Sequence, residues 1–394
     1  MNFSLPEPPY PAWAPGLRAP APGPYMAYRS AWKRRAARAL DALGAPLAPA
    51  KRPLPWGQLR RVAVLRLDHL GDLLLSFPAL EALRRGLPNA HLTLVVAPWC
   101  EELARLCPWV DAVEVARAPW FERPQRHGWP VGALRALAQL LRQGGFDLGV
   151  DLRGDLRHML AMRWAGLPWR LAAPQTAGGF LLTHAMAPGA GHESRRNLDL
   201  LKAAGLRAAA PLRPRLTPSV QARARARRRL RNWGLRPGFL ALHPFAGAPS
   251  KRWPTEHWRR LLAAMPRRRL LLLGSAGEAA ELQDLAREGA AGTRVVAAGT
   301  LGADELAAVL EQAGALLGLD SGPGHLAAAV GTPVLSLFSA ASDPSRWGAL
   351  GAKVRVLSAL APCSPCGLAD CPLGNACMRA LEPAQVLRAL AKIA

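Results

Sequence analysis

The sequence predicts an α/β protein made of two doubly wound parallel-sheet domains. Three observations carry this expectation. Strand-sized apolar runs alternate with helix-period segments from Arg60 onward, the alternation breaks at an arginine-rich segment near residue 220, and it then restarts and continues to about residue 360. Alternation of this kind calls for crossover helices on both faces of a parallel sheet. A chain of 394 residues also exceeds one ordinary core and suits two domains of roughly 150 to 200 residues. The expected division is 1–58, an N-terminal extension; 59–216, the first doubly wound domain; and 217–394, the second. Two such domains side by side would face each other across a cleft at the C-terminal ends of their strands.

In the first domain "RRVAVLRL" reads as a buried strand and "DHLGDLLLSF" as a turn into a helix, with Gly71 permitting a tight turn. "PALEALRRGLP" follows as a helix and "AHLTLVVAP" as the second strand. "AVEVA" and "DLGVDLRG" are further strands, separated by the helical "VGALRALAQLLRQGG". The basic "SVQARARARRRLRNWGL" reads as a solvated helix between the halves. After it come strand "FLALHPF", helix "TEHWRRLLAAM", strand "RRLLLLGS", helix "EAAELQDLARE", strand "TRVVAAG" and helix "ADELAAVLEQA". "LGLDSGPGHLAAAVGTPVLSLF" then reads as strand, glycine-rich turn, small-residue helix and strand, and "PAQVLRALAKIA" as a closing helix.

The formal charge of +24, from 51 Lys and Arg against 27 Asp and Glu, favours an anionic partner: nucleic acid, an anionic membrane surface or a phosphorylated substrate. No zinc-finger spacing, helix-turn-helix signature or aromatic RNA-binding motif is present, so nucleic acid is not expected. The longest apolar runs fall well short of the ~20 residues that span a bilayer. The start "MNFSLPEPPYPAWAPG" lacks a charged segment followed by an apolar one, so the expected location is the cytoplasm. Prolines at 6, 8, 9, 11, 15, 20, 22 and 24 make the first segment extended. The following "AYRSAWKRRAARALDALG" reads as a helix with Trp32, Ala36, Leu40 and Leu43 near one face and Arg29, Lys33, Arg34 and Arg38 around it. That pattern suits a helix lying on anionic lipid, and equally a helix packed on its own domain.

Three turns carry candidate chemistry. Asp72 opens a helix, where an acid complements the dipole. "HPFAGAPSKRWPTEHW" follows a strand and offers small residues, backbone N–H groups and the cation Lys251, which suits a polyphosphate. In the third turn a helix beginning near Pro323 aims unpaired N–H groups at an anion. Its Gly322-Pro-Gly324-His-Leu-Ala327 imitates the dinucleotide fingerprint, with Asp343 about 20 residues on. That fingerprint normally opens the first strand-helix unit of a domain, whereas here it comes late, so a nicotinamide-dependent dehydrogenase is the rival enzyme class.

The segments "VAVLRLDHLGDLLLSFPALEALRRGLP", "HPFAGAPSKRWPTEHW" and "GLDSGPGHLAAAVGTPVLSLFSAASDPSRWG", in this order, resemble the signature segments of glycosyltransferase family 9, the heptosyltransferase family. The likeness covers roughly residues 60 to 390 and leaves the first 58 as an addition. It implies the GT-B architecture, with two Rossmann-like domains, an acceptor-side N-domain and a donor-side C-domain. It further implies an inverting transferase that uses an ADP-activated sugar and no catalytic metal. Asp72 would be the general base, and Lys251 would neutralise the diphosphate leaving group. Asp320, Ser321, Gly322 and His325 match the family's D-[ST]-G-x-x-H segment, which contacts phosphates and sugar. Glu278 falls where a ribose-binding acid is placed and Leu301 in the adenine-contacting turn. Arg66, Arg153, Arg157 and Arg196 would meet acidic groups of a lipopolysaccharide-type acceptor, a glycolipid reached from the inner face of the inner membrane. A scaffold or sugar-nucleotide-binding protein without catalysis, or a transferase acting on another glycan or a protein, keeps the same fold.

The chain departs from the family pattern at Asp68 and His69, where relatives often carry small hydroxyl residues. Asp68, four positions before Asp72, would raise the pKa of Asp72 or bind acceptor. Four late cysteines, Cys363, Cys366, Cys371 and Cys377, suit a structural zinc or iron ion, a reducible pair or free thiols. Similar cysteine groups occur in relatives, and some protein-modifying heptosyltransferases bind iron with them. Cys100 and Cys107 are expected in the core.

Overall fold

The computed structural model describes residues 31–50, 52–122, 130–359 and 361–393. The proline-rich segment and Arg29 lie outside them. The chain divides into two compact units, one running to Pro214 and the other from Arg215.

The first unit opens with α1 (Ala31–Gly44) and is built on a parallel sheet in the order β3-β2-β1-β4-β5-β6. Its strands are β1 (Arg61–Arg66), β2 (His91–Val96), β3 (Ala112–Val115), β4 (Leu148–Asp151), β5 (Trp169–Ala172) and β6 (His184–Ala185). The connecting helices are α2 (Leu70–Leu74), α3 (Phe77–Gly86), α4 (Glu101–Ala104), α5 (Val131–Gln143), α6 (Leu156–Trp164) and α7 (Glu193–Ala203). β1 is buried at every position after Arg61, as a strand covered on both faces requires. It pairs with β2 on one side and β4 on the other, Leu65 lying beside Asp151. Gly71, expected in a tight turn, instead lies in the first turn of α2. Its helical place there comes from the extended His69 before it and the Leu73 N–H to His69 C=O bond. Cys100 and Cys107 are buried.

The second unit repeats the plan. Its sheet runs β12-β11-β10-β7-β8-β9, which has the same order as the first when read from β9. The strands are β7 (Leu240–His243), β8 (Leu270–Gly274), β9 (Arg294–Ala298), β10 (Ala315–Leu319), β11 (Val334–Phe338) and β12 (Val354–Ser358). The helices are α8 (Val220–Asn232), α9 (Thr255–Ala263), α10 (Ala279–Arg287), α11 (Ala303–Leu310), α12 (Gly322–Ala329), α13 (Pro344–Trp347), α14 (Ala376–Arg379) and α15 (Pro383–Leu390). Trp253 and Trp258 meet edge to face at 4.8 Å inside the core that α9 and α15 cover. α8 is not the solvated connector its charge suggested. Ala222, Ala226 and Leu230 are buried, Arg223 grips Glu311 at 2.6 Å, Arg229 reaches Glu305 at 2.7 Å, and Ser219 is tied to Asp304. The alanine stripe was hidden among arginines, and the acids that neutralise them lie some 80 residues away.

Both sheets reverse direction of growth at one place, β1/β4 in the first and β7/β10 in the second. Ligands bind at such crossovers, outside the carboxyl ends of the strands. Among the described residues no helix is long and apolar enough to cross a membrane.

Candidate functional site

At the first crossover β1 ends in Arg66, a cation with no exposed surface. Its Nε lies 2.9 Å from Asp68 Oδ1, and its Nη2 lies 3.3 Å from Asp72 Oδ1 and 3.7 Å from Glu193 Oε1. Nη1 donates to the Leu152 carbonyl at 2.8 Å. Burial works against the guanidinium's charge, but Asp68, Asp72 and Glu193 outweigh it and hold the group above its ordinary range. Asp68 is pushed up to about 7, chiefly by burial, with Arg66 opposing and Asp72 adding to the rise. Both of its oxygens are buried without a hydrogen bond, held by charge alone to Arg66 and, at 3.8 Å, to Arg153.

The β4 end supplies the surrounding frame. Asp151 accepts from the backbone N–H groups of Arg153 and Asp155 and lies 3.0 Å from His158 Nδ1, both side chains fully out of solvent. Burial lowers the affinity of His158 for its proton, but Asp151 more than offsets this and the imidazole sits above its usual range. Gly154 makes the bend possible: its φ is +67°, and a Cβ there would stand 2.1 Å from the Ala173 carbonyl oxygen. Arg153 lies over Phe121 at 5.8 Å, and Arg157 lies over Trp120 at 4.9 Å while its Nε and Nη2 clasp Asp155. Arg196 joins through Glu193, 3.2 Å away, and Gln175.

The structure thus gathers Arg66, Asp68, Asp72, Arg153 and Arg196, with Arg157 at the edge. It alters two assignments. Arg66 and Asp68 were expected to touch the acceptor, but both are buried, Arg66 against Asp72 and Asp68 against Arg153. Asp72 is the open carboxylate of the set, its side chain 17% exposed against 4% for Asp68 and 6% for Glu193. Glu193, Asp151 and His158 were missed in the sequence. None lies in a recognisable motif, and Glu193 looks like an ordinary acid in a helix's first turn.

The second crossover is chemically different. Lys251 Nζ donates to Asp320 Oδ2 at 2.6 Å, with the lysine 28% exposed and the aspartate 8%. Ser321 Oγ donates to the Leu319 carbonyl and lies 2.9 Å from Nδ1 of His243, the last residue of β7. Burial pushes His243 down to about 4, so the ring is neutral at pH 7. The N-cap residue Ser321 makes no side-chain capping bond to the N-terminus of α12, where Gly322 and a half-buried His325 lie in the first turn. Glu278 and Leu301 follow β8 and β9, continuing the same carboxyl edge. Glu278 already has local work, accepting from Ser275 N–H at 2.7 Å and Ser275 Oγ at 2.8 Å.

The cysteine segment braces this edge. Ser250 Oγ donates to Leu368, Ser250 N–H to Ala369, and Asn375 Nδ2 to Pro249, clamping the turn that carries Lys251. The cysteines are free thiols. Among the described residues no three His, Cys, Asp or Glu side chains come together as a metal site. The zinc or iron suggested for Cys363, Cys366, Cys371 and Cys377 therefore finds no assembled ligand set. Cys377 Sγ instead accepts from Ala340 N–H at 3.4 Å, and burial pushes the Cys363 and Cys377 thiols up, toward the neutral form.

Two doubly wound units with one strand order define the GT-B class. The solved glycosyl transferase family 9 protein from Veillonella parvula shares the fold, at a TM-score of 0.71 and 21% identity over 85% of this chain and 97% of that one. So does Escherichia coli heptosyltransferase WaaC with ADP-2-deoxy-2-fluoro heptose, at a TM-score of 0.63 and 21% identity over 85% of this chain and all of the other. The chain belongs to glycosyltransferase family 9 and is a glycosyltransferase: the model described as "Glycosyltransferase family 9 (heptosyltransferase)" matches residues 134–377, more than half its length. Lipopolysaccharide heptosyltransferase 1 of Pseudomonas aeruginosa is 28% identical over 315 residues, 78% of this chain and 86% of the relative.

Proposed function

We propose that this protein is an inverting transferase that moves a heptose, or a closely related sugar, from an ADP-activated donor to an acidic lipopolysaccharide core-type acceptor, with Asp72 as general base. The acceptor hydroxyl oxygen attacks the anomeric carbon and its proton passes to Asp72. The bond from that carbon to the diphosphate oxygen breaks, and ADP leaves with the electron pair. One attack from the face opposite the leaving group inverts the centre. Lys251 and the first-turn N–H groups of α12 meet the charge that builds on the diphosphate, in the place of a catalytic metal. Asp320 keeps the ammonium positioned until the donor competes for it. Asp320, Ser321, Gly322 and His325 orient the phosphates and sugar, Glu278 and Leu301 face the nucleoside, and Arg153, Arg157 and Arg196 meet acidic groups of the acceptor. Such an acceptor carries a lipid, which sets the enzyme at the cytoplasmic face of the inner membrane.

The observation that carries this reading is the state of Asp72, partly exposed and anchored by a buried arginine at the end of the first strand. The names of the relatives, a lipopolysaccharide heptosyltransferase and a heptosyltransferase with an ADP-heptose analogue, support the donor and acceptor classes. Thermal melts with a panel of nucleotide sugars test it. ADP-heptose is expected to stabilise the protein and UDP-sugars, GDP-sugars and NAD are not. Asp72→Asn is expected to lower turnover by roughly 10²- to 10⁴-fold while keeping that stabilisation. Unchanged turnover removes Asp72 as the base, and stabilisation by NAD alone removes the transferase reading.

A further inference from the structure

Among the described residues, helix α1 is held to the first unit by one side. Ala37 and Gly44 are buried, and a Cβ on Gly44 would stand 2.4 Å from the Phe180 ring. Asp41 Oδ1 accepts from the Gly178 and Gly179 amides at 2.8 and 3.1 Å. These positions share one face at helical spacing. At about 100° per residue the other side gathers Trp32, Ala36, Ala39, Leu40 and Leu43. Trp32 is 67% exposed and Leu43 79%, and Leu47, in the turn that follows, is 77% exposed. Half of the large hydrophobic side chains found exposed among the described residues thus fall between 32 and 47. Lys33 and Arg35 are exposed along the two edges of the stripe and Arg38 is exposed further round the helix, with Lys33 Nζ 5.7 Å from the Trp32 ring.

We propose that α1 lies on an anionic lipid bilayer, with Trp32, Leu40, Leu43 and Leu47 among the upper acyl chains and Lys33, Arg35 and Arg38 against the phosphate headgroups. An exposed apolar stripe marks a contact surface. Trp at the interface and cations along the flanks are the make-up of a helix that lies in a membrane plane. Charge selects lipid over a second copy of the chain, because pairing two α1 stripes would bring the same cations together in a protein of net charge +24. The packed face matches the sequence reading of a helix on its own domain, and the proposal assigns the opposite face to the lipid reading. The inference uses no residue of the catalytic site and stands apart from the transferase reading.

The test is co-sedimentation of the full chain with phosphatidylcholine vesicles with and without phosphatidylglycerol, at ~0.1 and ~0.5 M salt. Binding to the anionic vesicles is expected, and changing Lys33, Arg35 and Arg38 to Gln is expected to weaken it roughly 100-fold at the lower salt. The combined Trp32→Ser, Leu43→Ser and Leu47→Ser variant is expected to lose the binding that survives high salt, because salt does not screen apolar insertion. Both variants should keep the melting shift with ADP-heptose and turnover on a lipid-free acceptor, which separates this result from failure of the proposed reaction. Equal vesicle binding by the serine variant and the wild type overturns the proposal. So does a wild-type dimer that ignores vesicles and becomes monomeric in the serine variant.

Discussion

The two units share one strand order and fill the same topological position with opposite chemistry. At β1/β4 a fully buried arginine sits among Asp68, Asp72 and Glu193, framed by the buried Asp151–His158 pair. At β7/β10 no such packed charge is found among the described residues. A part-exposed lysine rests on one aspartate beside serine, glycine and the open end of a helix. The shared topology supplies a place, and the residues decide what that place can do. Buried charges are costly to desolvate and stay only where geometry compensates, so the first crossover is suited to holding one carboxylate in a fixed position. The second can exchange partners: its lysine is near enough to solvent to leave Asp320, and its backbone N–H groups suit an anion.

Arg66→Met is expected to give the largest effect. It leaves three acids facing one another without their cation, and breaking a buried pair this way costs about 3–5 kcal/mol. Denaturant unfolding measures the loss, and a value under ~1 kcal/mol, within the range of an ordinary surface pair, would break the contrast between the crossovers. Lys251→Met comes next. If the second crossover binds rather than braces, the variant stays folded and kcat/KM for the ADP-sugar falls roughly 100-fold. Loss of folding with the same substitution would instead make the Lys251–Asp320 pair structural, and the two crossovers alike.

Much of this contrast could be read from the chain, and unevenly. β1 and β10 announce themselves as continuous apolar runs because both faces of each are covered. β5, β6 and β12 gave no comparable signal. β5 is four residues with a buried Arg170, whose Nε donates to Leu181; β6 has two residues; and β12 is a half-buried edge. Asp72, Lys251 and Asp320 were legible because each lies in a contiguous motif. Glu193 and His158 were not, since only the folding of α7 and α6 brings them to the end of β1 and β4. Asp68 was visible as a second acid beside Asp72, but its burial depends on packing from several elements, which no local pattern encodes.

The smallest effect expected, and the sharpest probe of the first crossover, is a change in how stability depends on pH. Asp68 has a folded pKa of about 7 against the ordinary 3.8. Between those values the folded chain holds a proton that the unfolded chain has released, so this group's contribution to stability is full below pH ~4 and is lost as pH rises through ~7. An amide at this position cannot titrate, so Asp68→Asn should gain on the wild type across that window. His158, raised, and His243, lowered to about 4, titrate in both proteins and cancel in the difference. The Tm of Asp68→Asn relative to wild type is expected to rise by about 3 °C between pH ~6 and pH ~7, where this group's contribution falls by ~1 kcal/mol and a unit of this size shifts by that much. Melting curves that move in parallel over that range would mean that Asp68 stays ionised beside Arg66, and that the first crossover carries its full negative charge down to the ordinary carboxylate range.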